Sequence, residues 1–294
     1  YVTGDANMIQ AVESGIDVHT HTASLMFNVP TDVIKYEHKL SGHSTSGDAI
    51  ASHRVADSVV AKAMRESSKA WPRTMSLRQC GKKSNHGLNY DEGPNGFAMI
   101  NEIDQAEAKR IVAMYHHIYP GIRIWYESVK RQLQKDRILT NCFGRSVRFL
   151  GAWGDNLWKS AYSMLPQSTV VDSLNMGMQN LYDDKEVSGV TGANADILAQ
   201  VHDSILMQIP ISFLKVRENF EWFREKIRHE TSPEMCYNGR TFKIASDFKF
   251  GMNWGEYGEK NPRGMQEFED YDTFMKALET WENVNVEGTL GLAH

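Results

Sequence analysis

Arg78, Lys82, His86, Gly87 and Tyr90 lie within RQCGKKSNHGLNY (78–90). On an α-helix, steps of four keep side chains near one face, drifting slowly around the axis. That spacing stacks a guanidinium and an ammonium one turn apart, followed by an imidazole, a bare backbone position and a phenol. Two cations and a flat ring on one face can hold a polyphosphate together with a base. The same pattern also fits a solvated basic face, and this segment alone leaves both readings open. A second candidate is VHDSI (201–205), where a carboxylate at a hairpin tip suits a divalent cation and a His-Asp pair suits acid/base work. A turn-forming aspartate beside a partly buried histidine is the plainer reading. A third is LPQSTVVD (165–172), which puts Gln167 and Asp172 on a helix, with Gln167 able to donate to base edges or sugar atoms.

The elements that must position these groups follow from periodicity and punctuation. Residues 4–28 read as helical with a break at Gly15. KLSGHSTSGDAIASH, within a mixed stretch from 37 to 70, reads as a Gly/Ser-rich loop leading into a helix around 54–69. A helix over about 74–90 enters after Pro72 and loosens at Gly87 and 89–93. Helices follow from Asp104 to His117, from Pro120 to about Gln134, and from Ala161 to Leu181. NCFGR marks a hairpin turn within 138–150. Apolar runs at 197–201 and 205–209 bracket His202-Asp203-Ser204 as a second hairpin, about 197–209 in all, and TFKIASDFKF is strand-like. The plan is mostly helical in the first half, with a small antiparallel sheet and packing helices in the second.

The 294 residues suffice for a sizeable core and one to three domains. Hydrophobic content of 41% and charged content of 23% are ordinary for a soluble globular chain. No apolar run is long enough to span a bilayer, and no signal-peptide pattern opens the chain. Three scattered cysteines, Cys80, Cys142 and Cys236, argue against a disulfide framework and fit a reducing compartment. A net charge of −5 argues against wholesale nucleic-acid binding, yet residues 73–83 hold Arg73, Arg78, Lys82 and Lys83 with no acid among them.

Six blocks in order make the chain resemble the C-terminal half of family A DNA polymerases, the bacterial polymerase I and phage replicative type. TGDANMIQAVESGIDVHTHTASLMFNVP resembles the stretch in which a Gly-Asp-x-Asn helix leads to Asp-Ile-His-Thr. Residues 78–90 resemble motif B, Arg-x3-Lys-x4-Gly-x2-Tyr. YPGIRIWYESVK resembles Phe-Pro-x-Val-x-x-Trp, and LTNCFGRSVRF the Thr-x-x-Gly-Arg-x-Arg hairpin. MLPQSTVVD resembles Pro-x-Gln-Gly-Thr-Ala-Ala-Asp, and VHDS resembles motif C, usually Val-His-Asp-Glu.

The resemblance implies an α/β (α+β) polymerase right-hand fold, with helical fingers over 1–137 and the C-terminal part of an antiparallel-sheet palm over 138–294. It implies template-directed nucleotidyl transfer from a dNTP to a primer 3′-hydroxyl on primer–template DNA, by two magnesium ions. His19, Arg78 and Lys82 would grip the triphosphate, with Lys82 also placed to protonate pyrophosphate. His86 would pack beside sugar and base, and Tyr90 would close the insertion site. Gln167, Lys159 and Ser163 would follow the minor groove, with Arg145 near the DNA backbone. His202 would sit by the primer terminus, and Asp203 would ligate catalytic magnesium. Such chemistry rests on positioning and charge neutralisation, which these residue types can supply.

In the family, the second metal-binding carboxylate belongs to motif A, just upstream of the Gly-Asp-x-Asn helix. The chain therefore reads as a C-terminal fragment, inactive alone, whose partner is an upstream segment carrying motif A and the thumb. Several residues depart from the family pattern. His86 replaces an aromatic hydrocarbon ring and bears on dideoxynucleotide selection, Ser204 replaces a glutamate, Asp91 a glycine and Lys159 an arginine. These suggest a viral or divergent enzyme, cytoplasmic in a phage-infected bacterial host. Two other readings stay open: a single-subunit RNA polymerase-like enzyme, which Ser204 fits, and an inactive DNA-binding relic or split subunit.

Overall fold

Short helices with explicit caps dominate the first half of the computed structural model, which describes residues 2–41 and 46–287. The chain divides into two compact units, Tyr1–Gln167 and Ser168–His294. The first unit opens with α1 (Ala6–Glu13) and α2 (Val18–Phe27), separated at Gly15, whose φ of +68° the missing Cβ permits. Asp5 and Asp17 cap them by accepting from Met8 N and Thr20 N. Then come α3 (Thr31–Ser41), α4 (Gly47–Ala56), α5 (Ser58–Glu66), α6 (Leu77–Leu88), α7 (Pro94–Asn101), α8 (Gln105–Ile118) and α9 (Pro120–Asp136). A two-stranded antiparallel ladder, β1 (Ile138–Thr140) with β2 (Ser146–Arg148), precedes α10 (Asp155–Asp183). The expected fingers–palm line at 137/138 runs between α9 and β1, inside this unit.

The expected loop over 39–53 is corrected by α4, which begins at Gly47; residues 42–45 lie outside the described residues. Small polar residues disguised the helix. Ser46 caps it, Ile50 is fully buried, and Arg54 anchors it from within. Arg54 donates from Nε and Nη2 to Glu37 Oε1 at 3.1 and 3.0 Å, from Nη1 to Pro72 O at 2.5 Å and from Nη2 to Met75 O at 2.9 Å. Glu37 Oε2 accepts from Leu77 N at 3.0 Å. One buried ion pair thus ties α3 and α4 to the first turn of α6. That helix starts at Leu77, later than the expected 74, because Ser76 is its cap, accepting from Gln79 N at 3.2 Å.

The core of the first unit is continuous and aromatic, built around Phe27, Leu77, Leu88, Phe97, Tyr115, Tyr119 and Tyr162. Tyr126 stacks near Tyr162, with ring centroids 4.4 Å apart. Its hydroxyl accepts from Asp91 N at 2.9 Å and donates to Leu88 O, which fixes the end of α6.

The second unit contains α11 (Lys185–Ser188), β3 (Asp196–Val201), β4 (Ser204–Gln208), α12 (Ile211–Leu214), α13 (Arg217–Thr231), β5 (Met235–Tyr237), β6 (Arg240–Phe242) and α14 (Tyr271–Glu287). β3 pairs antiparallel with β4 and β5 with β6, as separate ladders. The expected strand over TFKIASDFKF stops at Phe242. Residues between it and α14 form isolated bridges only, Phe250 with Gln266, Glu256 with Met265 and Gly258 with Asn261. Phe220, Phe250, Phe268, Phe274 and Trp281 interlock in the core of this unit, with Phe220 and Phe274 stacked at 4.7 Å. No helix among the described residues is long and apolar enough to cross a membrane.

Candidate nucleotide and nucleic-acid site

α6 has two faces. Leu77, Cys80, Gly81, Ser84, Asn85 and Leu88 are buried, while Lys82 and His86 are exposed and Arg78 half-buried along the other line. The buried line rests on α2, where Gly81 makes the approach possible: a Cβ there would overlap the His19 carbonyl oxygen and lie 3.1 Å from Ala23 N. The crossing sets His19 beside the α6 stripe. The His19 and His86 rings are 5.6 Å apart and tilted by 36°. The structure therefore brings four of the expected residues, His19, Arg78, Lys82 and His86, to one surface of the first unit.

Each is held differently. Arg78 donates to both carboxylate oxygens of Asp17, at 2.9 and 3.2 Å. Hydrogen bonds from Thr20 and from Arg78 outweigh the burial of Asp17 and bring its carboxyl down to about 2. Burial lowers the pKa of the His19 imidazole, the positive charges of His86, Arg78 and Lys82 act in the same sense, and Asp17 opposes them. Asn85 Nδ2 lies 3.1 Å from His19 Nδ1. With the amide donating there, the neutral ring carries its proton on Nε2, a hydrogen-bond donor available to an anion. Asn85 also bonds Thr22, whose hydroxyl is 2.8 Å from that of Tyr119. Among the described residues Lys82 has no ion-pair partner.

Tyr90, just beyond α6, packs against the core rather than standing on the exposed line, because the helix ends at Leu88. Asp91 follows at φ +59°, a backbone that favours glycine, and the Tyr126 clamp holds it there. A cavity of about 450 Å³ is lined by Lys83, His86, Gly87, Tyr90, Glu92 and Lys159, so Lys159 joins His86 and Tyr90. The Glu92 carboxylate lies directly over Gly87, where a side chain would collide with it. Burial raises its pKa and Lys159 opposes that. Asp17 entered the sequence reading only within the Asp-Ile-His-Thr block, and Gly81, Asn85 and Glu92 escaped it. A Gly within a helical line signals a close crossing only once the partner helix is known.

Arg145 is exposed at the β1–β2 turn, where its N–H donates to Asn141 Oδ1 at 3.1 Å. On α10, Ser163 is half-buried, Gln167 exposed and Asp172 buried. In the second unit, His202, Asp203 and Ser204 are all exposed at the β3–β4 turn. A two-residue hairpin turn needs positive φ, and His202 takes it at +54°. Ser204 Oγ donates to Val201 O at 2.8 Å, closing the turn. A bulge between Ile197 and Ala199 turns Leu198 outward. Asp203 and Ser204 also border a cavity of about 440 Å³ lined by Val170, Ser173, Ile205 and Phe248. Among the described residues no group of three or more His, Cys, Asp or Glu could hold a metal ion, so Asp203 offers one carboxylate and not a complete ligand set.

His202→Gly is expected to stabilise the chain by about 0.5–1 kcal/mol, because relief of a left-handed conformation outweighs the added chain entropy. Urea unfolding measures it, and a lower midpoint for the variant would refute the strain at this turn.

Residues 53–256 match the family described as DNA polymerase family A. Thermostable DNA polymerase I of Thermus aquaticus is 24% identical over 216 residues, 71% of this chain and 21% of that protein. DNA polymerase I of Lactococcus lactis subsp. lactis (strain IL1403) is 24% identical over 220 residues, 73% of this chain and 20% of that one. DNA polymerase I of Chloroflexus aurantiacus (strain ATCC 29366 / DSM 635 / J-10-fl) is 23% identical over 262 residues, 87% and 22% respectively. The chain spans about a fifth of the length of these relatives. A solved structure, the POL domain of Pol1 from M. smegmatis in complex with DNA primer-template and dNTP, shares the fold. It is 21% identical with a TM-score of 0.55, over 78% of this chain and 33% of that one. With well over half of its residues matched, this chain belongs to DNA polymerase family A.

Proposed function

We propose that this chain carries the nucleotide-gripping fingers and the rear of the palm of a DNA-directed DNA polymerase, within 1–137 and 138–294. The observation that carries the reading is the stripe of Arg78, Lys82 and His86 on α6 with His19 set beside it by α2, in a chain of this family. A triphosphate lying along the stripe meets the Lys82 ammonium, the Arg78 guanidinium and a neutral imidazole donor. These offset the charge that develops on the phosphates during nucleotidyl transfer. Lys82, exposed and without an ion-pair partner among the described residues, is the group with a proton to give to departing pyrophosphate. His86 flanks sugar and base, and Tyr90 with the adjoining cavity borders the insertion site.

Gln167, Ser163 and Lys159 on α10 and Arg145 on its hairpin would contact primer–template DNA. His202 would meet the primer terminus. Asp203 would be one ligand of the magnesium pair; no group of three or more His, Cys, Asp or Glu among the described residues completes a set around it.

Titration of the full chain with a dNTP tests the grip. Lys82→Ala is expected to weaken binding by about 1.5–3 kcal/mol, roughly ten- to a hundredfold, as for a lost charge-assisted hydrogen bond. Equal affinity for the wild type, Lys82→Ala and His19→Ala would overturn it.

A further inference from the structure

Arg78 is not a waiting cation. Its guanidinium fork is filled by Asp17, oxygen for nitrogen, at 2.9 and 3.2 Å. Both side chains are only part-buried, 28% and 32% exposed, so an anion from solvent can reach the pair. We propose, on the nucleotide reading above, that Asp17 is a built-in competitor for the triphosphate, which binds by taking the Arg78 fork from it.

Three features support an exchange over a permanent structural pair. The first is that Asp17 has other partners: it accepts from Thr20 N at 3.0 Å and Thr20 Oγ1 at 2.5 Å. On losing Arg78 it is neither stripped of hydrogen bonds nor released from its place as the α2 cap, so exchange leaves no orphaned charge. The second is location: Asp17 heads the helix that delivers His19, and Arg78 heads the line continued by Lys82 and His86. The ligand that displaces the carboxylate thus lands on the remaining members of the stripe. The third is chemistry: a phosphate offers the same two-oxygen face as a carboxylate but carries more charge, so it is the anion class fit to win a planar fork. Asp17 stays ionised throughout the neutral range, so the competition is always present. Its consequence is a grip set weaker than the cations alone would give, which favours release of pyrophosphate after transfer.

The test is a double-mutant cycle on the full chain, titrated with dGTP and magnesium in a calorimeter. Asp17→Asn keeps the cap, since asparagine serves that position as well as aspartate, and removes only the competing charge. It is expected to bind dGTP about three- to tenfold tighter, the scale of one part-exposed ion pair, and inorganic pyrophosphate tighter in the same proportion. In an Arg78→Ala background the same change should give no gain. Unchanged or weaker binding by Asp17→Asn, or a gain that persists without Arg78, would overturn the competition while leaving the nucleotide reading intact. Arg78→Ala binding as tightly as wild type would instead remove the nucleotide reading and the competition together.

Discussion

Arg54→Ala is expected to destabilise the first unit by about 3–5 kcal/mol at neutral pH, a large part of the stability of an ordinary domain. The arginine is 5% exposed and gives four hydrogen bonds, and its guanidinium lies 5.3 Å from the Trp71 ring centroid. Removing it leaves Glu37, 1% exposed, with a negative charge and one backbone donor, Leu77 N. Pro72 O and Met75 O lose their partner as well. Burial already holds the Glu37 carboxyl above its ordinary 4.5, outweighing the attraction of Arg54, and the variant pushes it higher.

The sign of the pH dependence follows. A carboxyl whose folded value is raised binds its proton more tightly folded than unfolded, so stability falls as pH rises from 4.5 through the folded value. The Arg54→Ala deficit is therefore largest at neutral pH, shrinks as pH falls through the raised folded values and is smallest below about pH 4.5, where Glu37 is protonated in both states. Urea unfolding of wild type and variant at pH 7 and pH 4 measures both. Pairing Arg54→Met with Glu37→Gln should recover much of the loss, since no buried charge then remains. A deficit under 1 kcal/mol, or one that grows on acidification, would show that the pair does not anchor α6. Because Glu37 and Ser76 both hold the first turn of α6, the same variant should loosen the helix that carries Arg78 and Lys82.

This network also marks where the sequence stopped being legible. Asp17 and Asp104 are local caps, and the helices they open were readable because a cap acts within three residues; the helix expected around 54–69 is instead broken at Asp57, which caps α5. The two hairpins were readable for the same reason: NCFGR and His202-Asp203 close two short apolar runs. The stripe of Arg78, Lys82 and His86 could be read from spacing alone, and His19 joined it through the family resemblance. By contrast, α4 looked like a loop because serine and glycine are weak helix formers. What holds it is Arg54 reaching a glutamate 17 residues earlier and carbonyls about 20 residues later, information that no window of sequence contains. Tyr90 was placed on the exposed line by periodicity, yet the helix had already ended under the Tyr126 clamp, 38 residues from the carbonyl it holds.

Gly81→Ala is expected to weaken dNTP binding at least about tenfold and to destabilise the first unit by about 1–3 kcal/mol, the usual range for overpacking. Two effects oppose each other here. In an exposed helix, Gly to Ala gains about 1 kcal/mol of helix propensity. At Gly81, however, the new methyl would overlap the His19 carbonyl oxygen and press on Ala23 N at 3.1 Å, and both are backbone atoms of α2 that cannot rotate away. The helices must part at their crossing, and what parts with them is specific. His19 leaves Asn85, Thr22 loses its bond to the same amide, and the His19–His86 spacing of 5.6 Å opens. The stripe on α6 keeps Lys82, but the neutral donor beside it moves off the phosphate path. Affinity should therefore fall even under conditions where the variant is fully folded, which separates geometry from stability. Calorimetric titration with a dNTP well below the unfolding midpoint, alongside urea unfolding, measures the two effects on one sample. If Gly81→Ala proves more stable and binds as tightly as the wild type, propensity has won. The close crossing of α2 and α6 would then not be what builds the nucleotide site.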